Sequence, residues 1–341
     1  MRISKKPLPG SAPGKSRSAA AFKKILPLVA LLALLALVNG LLNYALVPYQ
    51  YPRVKIHAVE TRTYDDLVLG TSHSFSAINP EILSDTTGRS CFNASVGSQF
   101  PRDTLYLLQD ACRHHTPGRV ILEYDPAYLI DADRAFVNER YFVQCMEPSP
   151  VKLRYFLDCA LNSDFRVALM LWIGHRGDLG GIRRNLQIRQ SEVYRDYGVA
   201  CFDDGNQRMT ESGQMRISNQ IFDAVMVKQR TFSPDDSKDN LADLERVLKF
   251  CSDRQIPVVL VTTPVPAETR DAHADYYRDA HQLMAGIAGK WQLPFLDYAY
   301  EGDRRLNDAT ESFSDLDGHM HEDAADAFSA VLAADLNACG A

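Results

Sequence analysis

From Ile25 to Val47 the chain reads ILPLVALLALLALVNGLLNYALV, 23 consecutive positions without a charged side chain. As a helix rising about 1.5 Å per residue, that run crosses the hydrocarbon core of a bilayer. Arg2, Lys5, Lys6, Lys15, Arg17, Lys23 and Lys24 precede it, with no acidic residue among the first 24 positions. Cationic residues stay on the cytoplasmic side, so the expected topology is a single pass through the cell inner (cytoplasmic) membrane. The N-terminus is then cytoplasmic and the body beyond about residue 50 periplasmic or extracellular. A cleaved signal peptide is the competing reading. Against it, the run is long for a signal-peptide apolar region, and no small-x-small cleavage site follows.

The chain therefore divides into a basic arm (1–24), an anchor (25–47), a connector with prolines at 48 and 52 (48–63) and a body (64–341). With 46% hydrophobic and 23% charged residues, the 341-residue chain can bury one large core or two modest ones. Setting the seven cations of the arm aside, the rest carries 43 acidic against 30 basic residues, which argues against nucleic acid as a partner. Seven cysteines are scattered without a CxxC pair, and buried apolar thiols are the expected state of most of them.

Across the body, short apolar runs alternate with stretches of helical periodicity. Strands are expected at 65–70, at SCFNASVGSQ (90–99), at RVILEYDPAYL (119–129), at IPVVLVTTPVP (256–266) and at LPFLDYA (293–299). Helices are expected after Asn79-Pro80 as far as Gly88, over 101–115, over 241–254, over 271–291 and over 323–337. Successive strand-turn-helix units imply an α/β fold with a mainly parallel sheet between two helical layers. Residues at about 131–235 break this rhythm with HRGDLGGIRRN and FDDGNQRMTESG, and are expected to form an insertion or cap. Its basic cluster, Arg183, Arg184 and Arg189, could meet an anionic glycan or a lipid head group, although a solvated helix face is the plainer reading.

Two stretches carry chemistry. LVLGTSHSF (67–75) ends an apolar strand in a glycine turn that delivers Ser72, the geometry of a nucleophile at a sheet's carboxyl edge, but also that of a helix cap. ESFSDLDGHMHEDAADAF (311–328) places Asp315, Asp317, His319 and His321 within seven residues. A serine hydroxyl needs a base, an imidazole is the base suited to neutral pH, and a carboxylate fixes the imidazole's tautomer. His73, beside the serine, is a candidate substrate contact. His319 and His321 with Asp317 also form a possible metal cluster, although no third histidine lies close in sequence.

These stretches resemble the blocks of the SGNH/GDSL hydrolase superfamily, in particular its membrane-anchored extracytoplasmic branch that includes DltD-like and alginate O-acetylation proteins. The resemblance covers most of residues 64–337. It implies Ser72 as nucleophile, His319 as base and Asp315 (or Asp317) as the orienting acid. It also implies an oxyanion hole from the backbone N–H groups of Ser72 and Gly97. The family's Asp-x-x-His spacing is not kept, and the asparagine of its third block is missing from LEYDPAYL, which leaves Asn93 as a possible substitute donor. The implied function is an esterase or O-acyltransferase acting on an acylated cell-envelope polysaccharide, without a cofactor or bound metal, beside a multi-span membrane acyltransferase. The alternatives are an inactive relative that binds glycan or scaffolds polymer assembly, and a metal-assisted hydrolase.

Overall fold

The computed structural model describes residues 17–130, 139–162, 169–223 and 238–339. Helix α1, Arg17–Leu46, contains the apolar run, and its segment Ile25–Leu46 is long and apolar enough to cross a membrane. Within the expected connector, Tyr51–Thr61 forms helix α2. Pro52 stands in its first turn, where no N–H is needed, and Val54, Ile56, Ala58 and Val59 bury one face of it.

The body then runs β1 (Asp66–Leu69), α3 (Ser72–Ala77), α4 (Pro80–Thr87), β2 (Cys91–Asn93), α5 (Pro101–His114), β3 (Arg119–Glu123) and α6 (Ala127–Ile130). The irregular region supplies α7 (Glu139–Cys145), α8 (Pro150–Asn162), α9 (Ile182–Gln190), α10 (Glu192–Arg195) and an antiparallel hairpin, β4 (Gln207–Met209) with β5 (Met215–Ile217). Regular alternation resumes with α11 (Lys238–Asp253), β6 (Val258–Thr262), α12 (Ala267–Ala272), α13 (Ala274–Trp291), β7 (Phe295–Asp297) and α14 (Glu322–Ala338). The single helix expected over 271–291 is two, broken at His273, whose backbone leaves the helical region (φ −126°, ψ 34°).

The five main strands are all parallel, in the order β2-β1-β3-β6-β7. Parallel strands buried on both faces read as apolar runs, which is how VVLV (258–261) and VIL (120–122) appear. Alternate residues serve two cores. Leu67, Leu69, Val120, Leu122, Val258 and Leu260 face one side with Leu105 and Leu108 of α5 and Val247 and Leu248 of α11. Val68, Ile121, Val259 and Val261 face the other side with Leu83 of α4 and Phe328, Leu332 and Leu336 of α14. The result is a helix, sheet, helix sandwich. At the amino ends of the strands, Arg119 and Arg89 both bind the fully buried Asp66 (Nη2–Oδ2 2.5 Å and Nε–Oδ1 2.8 Å), tying β1, the approach to β2, and β3 together. Among the described residues no disulfide forms, and Cys91 and Cys251 are buried as free thiols.

Strand β1 has β2 on one side and β3 on the other, so the strand order reverses there. The crevice at the carboxyl ends of these strands is where such sheets place their ligands. The hairpin closes its flank. Asn93 N donates to the Ser212 carbonyl, Gln214 Nε2 to that of Ser76, and Arg216 binds Glu322 and Asp326 of α14.

Candidate active site

At the end of β1 the chain passes directly over the buried carboxylate of Glu123. A Cβ on Gly70 would fall 2.5 Å from Glu123 Oε2 and 2.5 Å from Ser74 Oγ, so this close approach needs glycine. Thr71 caps α3, its hydroxyl accepting from His73 N (3.3 Å). Its N–H and hydroxyl donate to Glu123 Oε2 at 2.8 and 3.0 Å. Burial pushes the Glu123 pKa up, opposed by His73 and the Thr71 N–H. Ser72 is therefore not the cap; it is the first residue of α3, half-buried at the crevice. Tyr128 of α6 stands beside it, the Ser72 hydroxyl opposing the rise that burial imposes on the Tyr128 pKa.

The turn after β2 brings Gly97 alongside, where a Cβ would stand 3.7 Å from that of Ser72. Asn93 does not join them. Its side-chain nitrogen donates to the carbonyls of Ser74 (2.8 Å) and Ile78 (3.0 Å), and its oxygen accepts from Ser95 N (3.0 Å). Both amide hydrogens are spent on backbone, so Asn93 is a brace for α3 and not an oxyanion donor in this geometry.

The loop before α14 is organised by Asp315. Oδ1 accepts the N–H groups of Asp317 (3.0 Å), Gly318 (2.9 Å) and His319 (3.1 Å), while Oδ2 lies 2.7 Å from His319 Nδ1. Burial alone would raise the Asp315 pKa, but His319 and these N–H groups outweigh it and hold it down to about 2. The bonds turn His319 so that Nε2 is the free edge of the ring. Asp317, two residues nearer in sequence, is not the carboxylate at that nitrogen; its own carboxylate lies within 4.8 Å of ring nitrogens of His73 and His319. His321 is buried between the carbonyls of Glu311 (3.0 Å) and Ile221 (2.7 Å), outside the cluster.

A second imidazole-carboxylate pair was not foreseen in the sequence. His73 Nδ1 lies 3.0 Å from Asp125 Oδ2, with both side chains nearly inaccessible to solvent. Asp125 is held in turn by the Ala127 N–H (2.6 Å). Burial opposes a charge on His73, yet Asp125, helped by Asp317 and Glu123, raises its pKa to about 9. The His73 and His319 rings meet edge to face with centroids 4.7 Å apart. The Ser72 hydroxyl and the His319 ring are not hydrogen-bonded to each other among the described residues. The sequence did hold a signal for the second pair: Glu123 and Asp125 stand at the carboxyl end of an apolar strand, where buried acids are rare unless partnered.

His73, His319 and Asp317 each offer a ligand atom, all within 4.8 Å of one another. With both Nδ1 atoms engaged by carboxylates, the two Nε2 atoms and the Asp317 carboxylate are what a divalent ion would meet, the arrangement in which histidine ligands are usually oriented.

No family model matches the chain, and no curated protein matches it. Among solved structures it is similar to a Bacteroides fragilis protein provisionally named an acylhydrolase. That likeness has 9% identity and a TM-score of 0.38, over 83% of this chain and 93% of that one. At such a distance it carries no argument about chemistry.

Proposed function

We propose that the protein is a membrane-anchored serine esterase or O-acyltransferase, with Ser72 as nucleophile, His319 as base and Asp315 as its orienting acid. One observation carries the reading: a carboxylate-locked imidazole and an N-terminal helical serine share the crevice where the strand order reverses. The Ser72 hydroxyl would turn from Tyr128 toward His319 Nε2, give up its proton and attack an ester carbonyl. The resulting oxyanion would be met by the Ser72 and Gly97 N–H groups and by His73. The His73 imidazolium, kept charged by Asp125, supplies the donor for which the sequence offers no asparagine. His319 then protonates the leaving alkoxide. Water or a sugar hydroxyl, deprotonated by His319 in its turn, takes the acyl group and restores Ser72.

The resemblance to the SGNH superfamily's DltD-like branch supports an acylated cell-envelope polysaccharide as substrate, with a multi-span membrane acyltransferase as partner and the body outside the cytoplasmic membrane. The test is incubation of the full chain with a fluorophosphonate probe and p-nitrophenyl acetate. Labelling and turnover that vanish in Ser72→Ala are expected. Equal labelling of wild type and Ser72→Ala would sink the serine mechanism, and absence of both would indicate an inactive glycan-binding fold. The two carboxylate-bound histidines also favour a second reading, a metal-assisted hydrolase. Its mark would be turnover lost to a chelator, restored by zinc and retained in Ser72→Ala.

A further inference from the structure

The serine chemistry leaves unused a pair of cavities along the exit of α1. Helix α9 closes that exit, Asn185 Nδ2 donating to the carbonyls of Ala45 and Leu46 (3.1 Å each) and Arg189 Nη2 to that of Val47 (2.9 Å). One turn and two turns deeper, Asn43 and Asn39 donate to the Leu169 carbonyl (3.3 and 2.9 Å) and accept the backbone and indole N–H groups of Trp172 (3.0 Å each). The body is thus fastened along the last turns of the membrane-spanning segment, and the surfaces beside those turns lie at the level of the outer leaflet.

A cavity of about 550 Å³ opens there, lined by Asn39, Asn43, Val143, Leu153, Phe156 and Leu169. It is mainly apolar, and Leu153 and Leu169 at its edge are 59% and 46% exposed. A second cavity of about 210 Å³ lies at the level of Val47 and Pro48, with Tyr49, Arg53, Arg189 and Tyr194 among its lining residues. Gln144 borders both, so the two adjoin. In the upper one the Arg53 guanidinium lies 4.0 and 3.9 Å from the ring centroids of Tyr194 and Tyr197, its Nη1 donating to the Tyr194 carbonyl (3.0 Å). Arg189 Nη1 donates to the Tyr194 hydroxyl (2.8 Å), while its Nε is buried with no hydrogen-bond partner. Neither arginine has a carboxylate partner among the described residues. The acid that shares the cavity, Glu60, accepts from Glu147 N (2.8 Å) and, by burial and its neighbour Asp110, has its pKa raised to about 8.

We propose that the paired cavities form one lipid site, the apolar half holding a hydrocarbon chain from the outer leaflet and the arginine-tyrosine half holding the phosphate ester at its head. Two guanidiniums steadied by tyrosines and directed into a recess suit a phosphate, and the depth of the two halves matches head and tail. The site rests on α1 as the membrane span and is independent of the Ser72 mechanism, so Ser72→Ala should bind normally whatever its activity.

The experiment measures binding to the full chain in neutral detergent with three probes: dodecyl phosphate, dodecanol and inorganic phosphate. Dodecyl phosphate should bind most tightly, and Arg189→Gln should weaken it about tenfold, as expected for losing one hydrogen bond to a charged group. Leu153→Glu, at a 59% exposed position, should weaken dodecyl phosphate and leave inorganic phosphate unchanged. Dodecanol binding as tightly as dodecyl phosphate would overturn the head-group half, as would unchanged affinity in Arg189→Gln. Inorganic phosphate binding equally well would overturn the chain half and make the ligand a soluble phosphate.

Discussion

At the scale of single residues the candidate site holds two imidazoles, each bound by its own acid. Asp315 fixes the His319 tautomer with one oxygen and spends the other on three backbone N–H groups, so Asp315→Asn keeps the loop but misdirects the ring. By analogy with the same change in a serine protease triad, kcat for an activated ester should drop on the order of 10⁴-fold with little change in KM. Asp125→Asn acts on His73 instead. If His73 is the extra oxyanion donor, kcat should fall roughly 10²- to 10³-fold while stoichiometric fluorophosphonate labelling is still reached, more slowly. Labelling at the wild-type rate would refute that role. Glu60 tests electrostatics away from the site. Its carboxyl, raised by burial to about 8 in the folded protein, ionises at lower pH in the unfolded chain. Folding stability therefore declines as pH rises from the ordinary carboxyl range toward 8, and the sign is opposite to that of a salt-bridged acid. Glu60→Gln keeps the acceptor for Glu147 N and removes the titration. Its melting temperature should exceed that of the wild type at pH 8 and match it near pH 4, as read by thermal denaturation.

Elements were legible wherever one period dominated. The apolar runs at 67–69, 120–122 and 258–261 became central parallel strands. Asn79-Pro80 and Gly88 marked both ends of α4, with the Asn79 side chain accepting from Glu81 N (3.0 Å) and Gly88 in the left-handed region at φ +72°. Within the connector at 48–63 Pro52 stands in the first turn of a helix whose fully buried Lys55 donates to the carbonyls of Asn93 (3.0 Å) and Ser95. A lone lysine beside Val54 and Ile56 gives no hint in sequence that it will be buried. Asp315 against Asp317 was likewise undecidable from spacing, since the choice depends on a loop in which Gly318 adopts φ +115°. The Asp125 partnership joins residues 52 positions apart, so the strand end signals an acid in need of a partner but not that His73 is the partner. The buried arginine below the sheet was also invisible in sequence, and it sets the element-scale prediction. Arg119→Met leaves Asp66 with only the half-exposed Arg89, and should cost about 3–5 kcal/mol in chemical denaturation. Adding Asp66→Leu should recover much of that, because the uncompensated charge, more than the lost pair, is the penalty.

At the scale of the whole molecule, the apolar helix α1 and the α/β body are parts of one structure. An anchor is often pictured as a tether, yet Asn39 and Asn43 would be costly in a lipid-facing helix unless partnered, and the partners come from residues 169–172 of the body. Helix α2 then packs its Ile56 and Val59 into the core shared with the sheet, so rigidity passes from the span to the crevice within a few residues. A consequence follows for how far the crevice stands from the bilayer: it should be fixed, not distributed over the reach of a linker. Replacing both asparagines with leucine leaves α1 at least as apolar and deprives the Leu169 carbonyl and the Trp172 N–H groups of their partners. Hydrogen exchange of the protein in lipid nanodiscs should then rise in residues 169–176 and in α9, while β1, β3 and β6 keep their protection. Unchanged exchange around Trp172 would mean that the asparagine contacts do not hold the body in place. Protection lost throughout the sheet would mean that the anchor is needed for folding itself and not only for position.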